Sequence, residues 1–131
     1  MARLSTTSDE AAAQEQRLLN NLLGLYDEES RLYHQVLALS RQQGDIFRNS
    51  GSFQEVRKIM EAKMDRLDEI ARLEAAEGQT RSLWEASKEC WSSTARAQLH
   101  DALQAVGALI EEILLCEGEN DRLLLQQTRK M

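Results

Sequence analysis

Leu99, Leu103, Val106, Ile110 and Ile113 follow one another in alternating steps of four and three, which aligns apolar side chains along one helix face. At the next two positions of the series stand Glu117 and Asn120, and apolar residues resume at Leu123, Leu124 and Leu125. A helix with so long a stripe cannot cover itself; it needs other helices, from this chain or another. The same rhythm runs through Leu18, Leu22, Leu25, Leu32, Val36, Leu39 and Ile46, widened by Leu19, Leu23, Tyr26, Tyr33 and Leu37. A third series holds Phe53, Val56, Ile59, Met60, Met64, Leu67, Ile70 and Leu73. Three such stretches dictate a helical bundle.

Punctuation between them sets the boundaries. Residues 1–8 read as a frayed lead-in, and Thr7 with Glu10 forms a capping box that starts helix one, about 9–49. Gly51 is placed to take the left-handed conformation that ends it, and Ser52 with Glu55 forms a second capping box for helix two, about 53–77. So short a connection folds helix two back antiparallel on helix one. Leu83, Trp84, Cys90 and Trp91 mark a short helical segment over about 80–92, or a continuation of helix two past a kink at Gly78. Helix three then spans about 95–128, interrupted by Gly107 and Gly118, where close helix contact or bending is expected. The expected fold is all-α: one domain over 1–131, an elongated antiparallel bundle of three long helices with a short extra helical segment before the last. Proline is absent and aromatic residues make up only 5%, which suits long helices and argues against sheet.

The residues that carry chemistry elsewhere are scarce. The two histidines, His34 and His100, have Arg31 and Ala97 three residues before them, where a carboxylate-bridged metal bundle needs glutamate. Zinc spacing is missing, and Cys90 and Cys116 read as reduced, mostly buried thiols. The carboxylate doublets of Asp27-Glu28-Glu29 and Glu111-Glu112 point about 100° apart on a helix and read as solvated faces. No phosphate-binding loop or nucleophile elbow occurs, so neither an enzyme nor a metal or other cofactor is expected. With a net charge of −6 and no basic block, nucleic acid is not an expected partner. No apolar run approaches the ~18 residues of a membrane span, and residues 1–13 lack a secretory apolar segment, so the expected location is cytoplasmic.

Two features bear on binding. Trp84 and Trp91, two helical turns apart, either cover one end of the core or form a binding anchor. Glu29, Gln43, Glu117 and Asn120 sit at seam positions, where polar side chains fix register and partner choice or simply face solvent at a fraying end.

Taken along nearly its whole length, the chain resembles the FlgN family of flagellar type III export chaperones. The resemblance rests on Leu18-Leu19-Asn20-Asn21-Leu22-Leu23 leading into Glu29 and Leu32-Tyr33-His34-Gln35-Val36-Leu37-Ala38-Leu39. It continues through the break at Gly51-Ser52, the stretch Ile59-Met60-Glu61-Ala62-Lys63 with Leu67, and the closing Ile113-Leu114-Leu115, Glu117, Glu119-Asn120 and Leu123-Leu124-Leu125. The segment from Leu83 to Trp91 departs from it. The resemblance implies a cytosolic chaperone without ATPase activity. Its clients would be hook–filament junction proteins of the FlgK and FlgL type, bound through their C-terminal amphipathic helix and delivered to the export apparatus. It also implies a substrate-binding region on the last helix, carried here by Leu109, Ile110, Ile113, Leu114, Glu117, Asn120, Leu123 and Leu124. On this reading Ile113→Asp or Leu124→Asp abolishes client binding and leaves the free protein helical. The competing expectation is a self-associating coiled-coil scaffold, a homodimer or higher oligomer without a client; a further one is an export chaperone for a different filament or cap subunit.

Overall fold

The computed structural model describes residues 2–87 and 90–130, with side chains from Asp9 to Arg129. The chain forms three helices, α1 (Ala2–Arg48), α2 (Phe53–Ala86) and α3 (Ser93–Lys130). They make an elongated, all-α bundle in which consecutive helices run antiparallel. α1 is the spine: both other helices lie along it, while the backbones of α2 and α3 hardly approach each other among the described residues.

The turn between α1 and α2 is closed by two bonds, Gly51 N–H to the Ile46 carbonyl at 2.8 Å and Ser50 N–H to the Phe47 carbonyl at 3.4 Å. This is the Schellman pattern, and it requires a left-handed residue just past the helix. The residue that adopts it is Ser50, with φ 57°, rather than Gly51. Gly51 serves the turn differently: a Cβ there would collide with the Ile46 side chain and approach the Ile46 carbonyl oxygen at 3.2 Å. Ser52 caps α2 as expected, its side chain accepting from Glu55 N–H at 3.2 Å.

Three boundaries differ from the sequence reading. α1 begins at Ala2, so the capping sequence at Thr7 lies inside a helix; the side chains of Thr7 and Ser8 fall outside those described. α2 runs unbroken through Gly78 to Ala86, so the segment expected over 80–92 is the end of α2 followed by a tight turn, with residues 88 and 89 outside the description. α3 starts at Ser93, where Ser92 Oγ accepts from Ala95 N–H at 3.1 Å and the Glu15 carboxylate accepts Ser92 N–H at 2.6 Å. Gly107 and Gly118 lie inside an unbroken α3 and admit no close neighbour, since a Cβ at either position meets nothing within 4 Å. The close approach is at Gly44 on α1, where an added Cβ would lie 2.8 Å from Asn120 Oδ1.

The core has two parts. One gathers Leu19, Leu22, Tyr26, Trp84, Trp91, Ala95, Leu99 and Val106. The indoles of Trp84 and Trp91 stack with centroids 4.7 Å apart, and Trp91 Nε1–H donates to the Trp84 carbonyl at 2.6 Å. The chain leaves the helix after Ala86, so this pairing comes from the turn and not from a shared helix face. Both rings are buried, which places them in the core and not on a binding surface. The other part gathers Leu32, Val36, Leu37, Ile70, Leu109 and Ile113. Buried Glu29 and Glu77 fall between the two parts.

Candidate functional site

Because α1 holds α2 and α3 apart, the side between them is open, and its floor is α1. At the turn end of the bundle this opening is an apolar trough of about 490 Å³. Val36 and Phe47 from α1 line it, with Phe53, Val56, Met60, Met64 and Leu67 from α2 and Ile113, Glu117, Asp121 and Leu124 from α3. Phe53, Met60, Met64 and Leu67 succeed one another by seven, four and three residues and so share one face of α2. That face is uncovered: Phe53 is 63% exposed, Met64 57% and Leu124, opposite them, 39%. Side chains this large and apolar, gathered around one trough, form a continuous apolar surface rather than scattered exposure. Methionine is suited to such a surface, because its unbranched thioether reshapes itself to different partners.

A polar layer closes the floor of the trough and fixes α3 against α1. Lys63 Nζ donates to Gln43 Oε1 at 2.9 Å and to Glu117, which also accepts from Ser40 Oγ. Asn120 Nδ2 donates to the Ser40 carbonyl at 2.9 Å, and Gln127 Nε2 to the Phe47 carbonyl at 2.6 Å. Gln43 and Asn120 are buried, so these seam residues pin helix register from inside the bundle and do not face solvent.

The eight residues expected to bind substrate therefore do not form one surface. Leu109 and Ile113 are buried against Leu32, Val36 and Ile70, and Asn120 is buried under its bond to α1. Ile110 packs on the tryptophan end of the core, and Leu123 is half-buried. Leu114, 64% exposed, lies outside the trough. Ile113, Glu117 and Leu124 do line it. Ile113→Asp would put a charge in the core and is no test of binding, whereas Leu124→Asp remains one. The residues missed by the sequence reading are the exposed half of the trough, Phe53, Met60, Met64 and Leu67. Their spacing was visible, but the same stripe serves equally for a bundle core.

A second opening lies further along the same side, toward the tryptophan pair. It is a cleft of about 320 Å³ lined by Tyr26, Glu29, Tyr33, Glu74, Glu77, Gly78, Leu103, Val106 and Ile110. Tyr26 O–H donates to Glu77 Oε1 at 2.6 Å, and Arg81 Nη1 donates to the same oxygen at 3.3 Å. Tyr33 O–H donates to Glu74 Oε1 at 3.4 Å. Burial, and then the hydrogen bond and repulsion with Glu77, push the Glu29 carboxyl up to about 8. Burial is also the main reason that the hydroxyls of Tyr26 and Tyr33 are pushed up.

The exposed histidines and the two free thiols lie outside both openings' linings, and Cys90 is exposed rather than buried as expected. Among the described residues no helix is long and apolar enough to cross a membrane. Comparison of the chain with family models, curated proteins and solved structures finds no match.

Proposed function

We propose that the chain is a cytosolic export chaperone of the FlgN type that receives an amphipathic client helix in the trough between α2 and α3. The single observation that carries this reading is the uncovered face of Phe53, Met60, Met64 and Leu67 opposite Leu124. Two helices held apart over a third leave the position that a fourth helix fills in a four-helix bundle. An amphipathic helix would bury its apolar anchors at i, i+3, i+4 and i+7 there. The clients on this reading are hook–filament junction subunits of the FlgK and FlgL type, kept unassembled and passed to the flagellar export apparatus. The role needs no catalysis and no cofactor. Lys63 and Glu117, at the floor of the trough, would set the register of the incoming helix and limit how tightly it is held.

The test is calorimetric titration of the full-length protein with the C-terminal helix of a junction subunit. Saturable binding is expected, weakened at least ~10-fold, or ~1.4 kcal/mol, in Met64→Asp and in Leu124→Asp, with helix content unchanged by circular dichroism. Absence of binding, or equal affinity in both variants, overturns the reading. The second reading, a self-associating scaffold, is favoured by Leu114, Leu115 and Leu125, exposed on α3 outside the trough. A tight oligomer in sedimentation equilibrium without any client, dissociated by Leu115→Asp, would support it.

A further inference from the structure

Glu29 presents an unusual arrangement. Its residue is only 3% exposed, yet its Oε1 is buried with no hydrogen-bond partner. A buried carboxyl oxygen without a donor is costly, and most such atoms in folded proteins find one. Here the atom belongs to a side chain that lines an open cleft, so a donor can come from outside the chain. The cleft also supplies what a donor of one kind requires. Three carboxyls, those of Glu29, Glu74 and Glu77, line the cleft with no basic residue in its lining, and the Arg81 guanidinium is paired with Glu77. Tyr26 and Tyr33 of α1 line the cleft, and α3 contributes only Leu103, Val106 and Ile110, with no charge of its own. The carboxyls are not grouped as a metal cage, since no three His, Cys, Asp or Glu side chains among the described residues are placed to hold an ion. A flat or rounded cation with several N–H donors and some apolar surface fits better than a bare ion.

We infer that this cleft is a binding site for the head of an organic cation, a guanidinium or ammonium group, with Glu29 Oε1 as its buried acceptor. Occupation gives the orphaned oxygen a donor and balances the excess of carboxyls. It also displaces the proton that the buried Glu29 carboxyl holds, so that binding of the cation and release of a proton are one event. The inference does not depend on the helix-binding reading, because the cleft and the trough are separate openings.

The experiment uses the full-length protein and methylguanidinium, whose charge is constant through the range tested. Nuclear magnetic resonance of carboxyl-labelled glutamate follows Glu29 directly. Saturable binding is expected, tightening roughly 100-fold between about pH 6 and about pH 9 as the ionised, binding-competent form of Glu29 becomes dominant. Glu29→Gln, which keeps the shape of the neutral carboxyl, should remove binding with helix content intact. Glu74→Gln, at the exposed lip, should weaken it several-fold and move the pH profile slightly to lower pH, because the Glu74 charge helps to hold the Glu29 carboxyl up. A helical peptide with one arginine, compared with its citrulline counterpart, separates the two sources of the cation. A preference for the arginine peptide over methylguanidinium marks a side chain of a protein partner, and the reverse marks a small molecule. Absence of binding by both probes, or binding that is unchanged in Glu29→Gln or indifferent to pH, overturns the inference.

Discussion

Glu29 illustrates how much one buried group can govern. Between the ordinary carboxyl value of 4.5 and about 8, the folded chain holds a proton at Glu29 that the unfolded chain has already released. Stability therefore falls as pH rises through that window and levels off above it. Glu29→Gln cannot ionise, so it should flatten this slope and exceed the wild type in stability by at least ~1 kcal/mol near pH 9. Urea denaturation at about pH 5, 7 and 9 checks this, and an unchanged slope in the variant would assign the pH dependence to other groups. The effect has its origin in position: the seam step that makes Glu29 look like an error in an apolar stripe is what buries it opposite Glu77.

At the level of the helices, the apolar rhythm carried most of the architecture. Leu22, Leu32, Val36, Val106 and Ile113 are buried as their spacing implies, and the break around Gly51 is where α1 ends. What the rhythm could not carry is which part of a stripe remains uncovered. Phe53, Met60 and Met64 look like core residues in sequence, and only the separation of α2 from α3 leaves them open. The glycines were equally ambiguous, since a glycine in a helix implies a close neighbour only where one exists. At Gly44 the neighbour is Asn120, whereas Gly107 and Gly118 face open space. Alanine at Gly107 or Gly118 should therefore stabilise α3, by up to ~1 kcal/mol each through helix propensity. Alanine at Gly44 should forfeit that gain by crowding the Asn120 side chain and its bond to Ser40. Thermal denaturation of the three variants distinguishes these outcomes, and stabilisation at Gly44 equal to the others would deny the close contact.

Over the whole molecule, two openings on one side of the bundle divide the chemistry between them. The trough near the α1–α2 turn is apolar and broad, and the cleft near the tryptophans is acidic and narrow. The polar layer of Ser40, Gln43, Lys63, Glu117 and Asn120 holds α3 to α1 at one end, and at the other the aromatic stack of Trp84 and Trp91 ties the end of α2 to the turn before α3. The helix that carries all of this, α1, has 47 residues, and its length has a consequence for how the protein moves through solvent. At ~1.5 Å per residue it is about 70 Å long, which gives a radius of gyration near ~20 Å, against ~14 Å for a compact chain of the same size. Small-angle scattering should find the larger value at the mass of a single chain. Such a rod drags more water than a sphere of 14.9 kDa and leaves a sizing column early, at the volume of a heavier globular protein. Early elution would then record shape alone, and whether two chains associate is decided by weighing the particle in solution.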